Sequence, residues 1–296
     1  MTSTRRSAGP ASRWMGLLGI AILAAPSSVG AQPADLFFER TVMSAAGDRC
    51  RLFTPEVAAA LAAGAAQARG AALRAGSDAR ALKAVEADAR ARAGRISCDS
   101  RDLAIAASQV RDAFAGYQRV TRMTYHGDVA GWRADRGVGR TARWRLAQDT
   151  TFGSNRMTFG LAGREGANAL IAVADFTDDA APYSARLVMR DSARTLGPYL
   201  DNRSKQPLGR KLPPRAATRA FLAEARGESE AELLPKGASG GWAFRFPAAA
   251  AAALAELDPR EAVAVEFLFP GERVRTAYVE VGDFAAGRAF LQMAAR

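Results

Sequence analysis

Apolar positions along this chain change their period once. Between residues 33 and 120 they recur at three- and four-residue steps, the spacing of one helix face. From residue 141 onward they alternate in short runs separated by Gly, Asn, Asp and Pro, the spacing of half-buried strands and their turns.

In the first part, "PADLFFERTVMSAAGDRC" predicts a short helix carrying Phe37, Phe38, Val42 and Met43. "FTPEVAAALAAGAAQARGAALRAG" predicts the next, with Thr54 as N-cap, Pro55 in the first turn and Glu56 where the helix dipole favours an acid. Gly76 ends it, and Ser77 with Asp78 restarts a helix whose stripe is Leu82, Val85 and Ala89. The short turn predicts an antiparallel hairpin. A third helix, "SRDLAIAASQVRDAFAGYQRV", places Leu103, Ala107, Val110, Phe114 and Tyr117 on one face, with Arg101, Asp102, Arg111 and Asp112 largely off it.

The helical pattern stops around "DRGVG". In "TARWRLAQ", Ala142, Trp144 and Leu146 are expected on one face of a strand, with Arg143 and Arg145 on the other. "RMTFGLAG", "ALIAVADF", "SARLVMRD", "TRAFLAEA" and "GWAFRF" read as further strands. A helix "PAAAAAALAEL", a hairpin "AVAVEFLF–PGE–RVRTAYVEV", and a last helix "DFAAGRAFLQM" opened by Asp283 complete the order. The fold class that follows is α+β. A helical module over residues 32–134 precedes a mainly antiparallel, β-sandwich-like domain with two short helices over 135–296.

Composition adds a compartment. Residues 1–31 carry a positive start without acids, an apolar run ending at Pro26, and small residues before Ala31, the three parts of a secretory signal peptide cleaved after Ala31. The run is too short to span a bilayer, so no transmembrane segment is expected after cleavage, and the destination is the bacterial periplasm or exterior. Only two cysteines are present, Cys50 and Cys98. Helices of roughly 33 and 28 Å between them nearly cancel, which returns Cys98 to the neighbourhood of Cys50. An exported protein is expected to pair them.

Net charge is +11 for the whole chain and +8 once the three arginines of the leader are gone. Export argues against nucleic acid as the polyanion, which leaves anionic lipid, lipopolysaccharide, acidic polysaccharide or a protein partner. Only four lysines are present, so a bias toward Arg accounts for much of the excess. Two basic stretches stand out. "WRADRGVGRTARWR" sets Arg133, Arg136, Arg140, Arg143 and Arg145 between Trp132 and Trp144. "NRSKQPLGRKLPPRAATR" offers Arg203, Lys205, Arg210, Lys211, Arg215 and Arg219 with almost no acids, and is the candidate anion-binding segment.

Catalytic constellations are missing. The single histidine, His126, cannot build a multi-His zinc site, and its place after a helical pattern suggests a turn or capping role. "GASGG" matches G-x-S-x-G but precedes a strand, where a nucleophile elbow would need a helix. "GLAGREG" lacks dinucleotide-binding spacing. Asp178/Asp179 and Glu228/Glu230/Glu232 lack regular calcium-ligand spacing. No cofactor or metal is implied.

The order of the last segment, with Val263, Val265, Phe267, Val279, Val281, Gly282 and Phe284, resembles the end of the invasion-associated locus B family. The shared order is strand, Ala/Leu helix, "V-x-V-x-F" strand, hairpin, then Gly-x-Phe before a short helix. Trp144 falls where that family has an early tryptophan. The resemblance covers the last 150 residues at most, and residues 99–296 lack the cysteines usual in that family. Otherwise the chain resembles secreted alphaproteobacterial proteins. It implies a β-sandwich-like fold and an envelope or host-contact role, and supplies no catalytic residues.

The function expected is therefore a non-enzymatic envelope protein binding an anionic component or a protein partner. The alternatives are a cell-wall or surface-polysaccharide hydrolase using an Asp/Glu pair, and a helper for export or envelope assembly.

Overall fold

The computed structural model describes residues 32–164, 169–200 and 206–292, so the proposed leader, Arg203 and Lys205 lie outside the described residues. Four helices come first: α1 (Pro33–Cys50), α2 (Pro55–Arg74), α3 (Ala79–Arg95) and α4 (Arg101–Ala115). Their starts are set by the expected side chains. Thr54 accepts from the amide of Val57, Asp78 from Arg80 and Ala81, and Ser100 from Leu103. Gly76 ends the α2 turn at φ +96°, a left-handed conformation that costs glycine little.

What the periodicity did not show is the arrangement. α1 is as long as its neighbours and packs along both α2 and α3. Phe37 joins Leu73 and Leu82 at one end, and Val42, Met43 and Ala46 join Leu61, Ala89 and Val110 at the other. Cys50 and Cys98 are disulfide-bonded with their α-carbons 5.5 Å apart, tying the end of α1 to the residues after α3.

The strands form two antiparallel sheets. The larger runs β1 (Arg122–Tyr125), β2 (Trp132–Asp135), β3 (Arg143–Phe152), β4 (Asn155–Gly163), β5 (Ala169–Asp175), β9 (Trp242–Phe246), β8 (Ala225–Glu228). The smaller runs β11 (Arg273–Glu280), β10 (Ala262–Phe269), β6 (Ser184–Arg190), β7 (Thr218–Leu222). Alternation in β10 aims Val263, Val265, Phe267 and Phe269 at one shared core, where they meet Phe159, Phe244 and Phe246 of the larger sheet. Helices α5 (Ala248–Ala255) and α6 (Phe284–Leu291) contribute Leu254, Phe284 and Phe290 to the same core.

Three details differ from the sequence expectations. The basic stretch 132–145 is β2, its following loop and the start of β3, and most of its arginines are engaged internally. Arg133 pairs with Asp149, Arg136 is buried against the carbonyl of Val120 and over the Phe290 ring, and Arg143 and Arg145 bond carbonyls of the loop. A bulge between Trp144 and Leu146 breaks the expected alternation. Trp144 therefore packs with Ala162, Val173 and Leu233 on the outer face, Leu146 enters the shared core, and Arg145 is buried. "TRAFLAEA" is two strands. The amide of Ala223 bonds Ala185 and that of Glu224 bonds Arg245, so the chain changes sheets between β7 and β8.

Two buried acids brace the β-region. The carboxylate of Glu280 accepts the amides of Asp128, Val129 and Ala130 at 2.7–2.8 Å, drawing the β1–β2 loop onto β11. A β-carbon at Gly127 would overlap the Ala130 carbonyl and this carboxylate, which explains glycine there. Glu261 holds Arg190 in a buried two-point pair at 2.6 and 3.0 Å. Burial pushes the Glu261 carboxyl up, and Arg190 pulls it back down only in part.

Reduction should leave the chain two hydrogens heavier by mass, and Cys50→Ser with Cys98→Ser should lower stability in denaturant unfolding by about 4 kcal/mol, the chain-entropy value for this loop. Glu261→Ala, which strands a buried guanidinium, should cost about 3–5 kcal/mol, and the double variant Arg190→Met/Glu261→Leu clearly less.

Candidate functional site

A cleft of about 870 Å³ with several charged residues in its lining opens between the α2–α3 turn and the segments following β6. Each wall has a physical reason for its position. On the helical side, Arg74 makes a two-point pair with Asp283 at 2.7 and 3.0 Å. Asp283, expected as an N-cap, makes no side-chain cap to α6 and is used for this pair instead. A β-carbon at Gly70 would collide with the same carboxylate, so a glycine lets α2 lie close against the start of α6. Burial opposes the Arg74 charge, but the Asp283 hydrogen bond and charge, with Asp128 and Glu280 nearby, hold its pKa above the ordinary value.

On the β side, residues 208–210 form a single tight turn across β10 and β11, with Gly209 against the ring of Tyr278. That turn delivers Lys211, which is 95% buried yet lines the cleft. Its ammonium makes no hydrogen bond among the described residues and has only Asp128 at 3.9 Å. Asp128 is in place because Glu280 holds the amides of its loop. Arg260 lines the cleft from the turn before β10, paired with Asp258, whose hydrogen bonds raise its pKa against the opposing effect of burial. Arg80 and Arg194 complete the lining and make no ion pair among the described residues.

Five cations from separate parts of the chain thus meet around one opening. The acids within reach are Asp78 and Asp128 in the lining and Asp258 and Asp283 behind it. Asp78 is committed to capping α3, and Asp258 and Asp283 each to one arginine. The uncommitted positive charge is that of Arg80 and Arg194, with Lys211 held by a single distant acid.

The four candidate anion-binding residues that are described do not come together, and among them Lys211 alone lines the cleft. Arg210 and Arg215 are exposed, and Arg219 lies over the Phe221 ring at 4.4 Å on β7. Arg203 and Lys205 lie outside the described residues. Arg74, Arg80, Arg194, Arg260 and Asp128 carried no sequence signal, because each comes singly from a different segment.

His126 is exposed and follows β1, not a helix end as expected. Ser239 of "GASGG" sits in a loop entering β9. Asp178 is taken by Arg275 in a two-point pair, whose guanidinium rests over Phe176 and Phe269. Among the described residues no group of three His, Cys, Asp or Glu side chains could hold a metal ion, and no helix is long and apolar enough to cross a membrane. Comparisons with protein-family models, with curated proteins and with solved structures find no match.

The Arg275 hydrogen bond holds the Asp178 carboxyl at about 2, below its usual 3.8. Because the folded-state pKa is depressed, the stabilisation is full above the unfolded value and lost as pH falls from there toward 2. Arg275→Met should return the Asp178 pKa toward 3.8 in a carboxyl-carbon NMR titration.

Proposed function

We propose that this is an exported, non-enzymatic binding protein of the bacterial envelope, which holds an anionic component in the cleft between the α2–α3 turn and the segments after β6. The observation that carries the reading is Lys211. A lysine buried to this degree costs free energy unless something compensates its charge, and here the nearest carboxylate stands at 3.9 Å. Arg80 and Arg194 flank the same space without ion-pair partners among the described residues. Together they offer an anion charge-assisted hydrogen bonds from three directions.

The disulfide supports an oxidising compartment, which agrees with the leader-like residues 1–31 and a final position in the periplasm or outside the cell. The order β9, α5, β10, β11, α6 is also the order on which the resemblance to the invasion-associated locus B family rests, and we keep an envelope role on that ground. A hydrolytic reading has less behind it. The acids of the cleft are engaged in capping and ion pairs, so no pair stands free to exchange protons with a glycosidic bond.

Calorimetric titration with inorganic phosphate and with purified lipopolysaccharide tests the reading. Lys211→Met and Arg80→Ala/Arg194→Ala should each weaken binding about tenfold or more, the size of one or two lost charge-assisted hydrogen bonds. Arg210→Ala and Arg215→Ala, outside the cleft, should change it little. Binding that survives Lys211→Met, in a variant that still melts cooperatively, overturns the assignment of the cleft.

A further inference from the structure

The rim of the cleft has a second character that an anion site alone does not require. Among the large apolar side chains most exposed in the described residues are Leu196 (85% exposed), Val129 (60%) and Tyr199 (48%). Leu196 and Tyr199 line the cleft directly, and Val129 follows Asp128, which also lines it. Two exposed apolar side chains, Leu196 and Tyr199, thus stand in water at one opening, and apolar surface so placed marks a contact surface.

The segment that presents Leu196 is held firmly at its base. Thr195 Oγ1 donates to the carbonyl of Asp191 and accepts from Arg190, which is itself clasped by buried Glu261. The amide of Arg194 bonds the same Asp191 carbonyl, and Pro198 fixes φ two residues past Leu196. The leucine therefore stands on a short, anchored projection. Cations lie on both sides of it. Arg194 and Lys211 line the cleft, Arg69 and Lys83 line a second groove of about 510 Å³ behind the same segment, and Arg80 reaches both.

We infer that this projection docks the protein on an anionic lipid bilayer, with Leu196 and Tyr199 inserted shallowly and the surrounding cations on lipid phosphates. The inference rests on the anion-binding reading above and adds the source of the anion. A soluble anion would be satisfied by the cations alone. An aliphatic side chain beside a tyrosine, at an opening where the five cations outnumber the acids Asp78 and Asp128, matches the layered chemistry of a bilayer interface, with acyl chains below and negative head groups above, whereas the groove behind it also carries Glu86, Glu256 and Asp258. Charge complementarity is what commits the occupant to an anionic membrane. Arg80 and Arg194, which make no ion pair among the described residues, line the same opening as Leu196 and Tyr199.

The test is co-sedimentation of the exported form with vesicles of phosphatidylcholine, with and without phosphatidylglycerol. Binding is expected only with phosphatidylglycerol and should weaken as salt rises. Leu196→Asp and its uncharged counterpart Leu196→Ser should each lower the partition coefficient about tenfold or more with the melting temperature unchanged, and Leu196→Ser, which adds no charge to the cleft it lines, should weaken vesicle binding far more than inorganic phosphate binding. Arg80→Glu/Arg194→Glu should lower both vesicle and phosphate binding. A polarity-sensitive fluorophore on Leu196→Cys should shift to the blue on phosphatidylglycerol vesicles and not with phosphate. Equal binding to pure phosphatidylcholine, or vesicle binding unaffected by Leu196→Asp, overturns the inference. Phosphate binding without vesicle binding overturns it and leaves the cleft assignment standing. Vesicle binding that needs Leu196 but is indifferent to Lys211→Met overturns the cleft assignment and, because the inference rests on it, the lipid-phosphate arrangement as well.

Discussion

Arg74 and Asp283 join the two ends of the molecule. One belongs to the second helix and the other immediately precedes the last, 209 residues further on. The pair is partly buried and meets at two points, and Gly70 one turn earlier removes the side chain that would keep the helices apart. On this contact depends how the helical layer sits on the sheets, because α6 packs against α2 on one side and against β1, β2 and β3 on the other. The cleft exists because the α2–α3 turn is thereby held over residues 194–200 and over Gln206 and Lys211. A buried ion pair is in general weak evidence for stability but good evidence for a specified geometry, and geometry is its role here.

The two buried glutamates extend the same logic to loops. Glu280 replaces the strand partners that the β1–β2 loop lacks, satisfying three of its amides at once. Glu261 does the equivalent for the segment after β6 through Arg190 and Thr195. Both acids lie at strand ends of the smaller sheet, and each fixes one wall of the cleft. A polar opening is thus built on charges that solvent does not reach.

Much of the architecture was legible in the sequence for local reasons. Thr54, Asp78 and Ser100 mark helix starts by hydrogen bonds made within three residues. The alternation in 262–269 marks a strand by its own period. What stayed hidden depends on distant partners. β1 and β2 are four residues each, too short to show a period, and β8 is exposed throughout. The bulge between Trp144 and Leu146 breaks the alternation of β3, and the neighbouring strand has Gly160 where a β-carbon would overlap the Leu146 carbonyl, a fit no window on β3 contains. Asp283 looked like a cap until Arg74 was beside it. The cleft was legible only through Lys211, since its other cations are single residues in unremarkable contexts.

Placing α6 in the interior has a consequence for how the polypeptide matures. The helix comes last in the order of elements, yet it sits between the first layer and the sheets, with Phe284 and Phe290 fully enclosed. The amino-terminal helices cannot finish packing until the closing tenth of the chain has arrived, and contacts of such separation are slow to form. The halves therefore do not mature one after the other. Loss of the eight residues Phe284–Leu291 would remove the molecule's centre, not its margin.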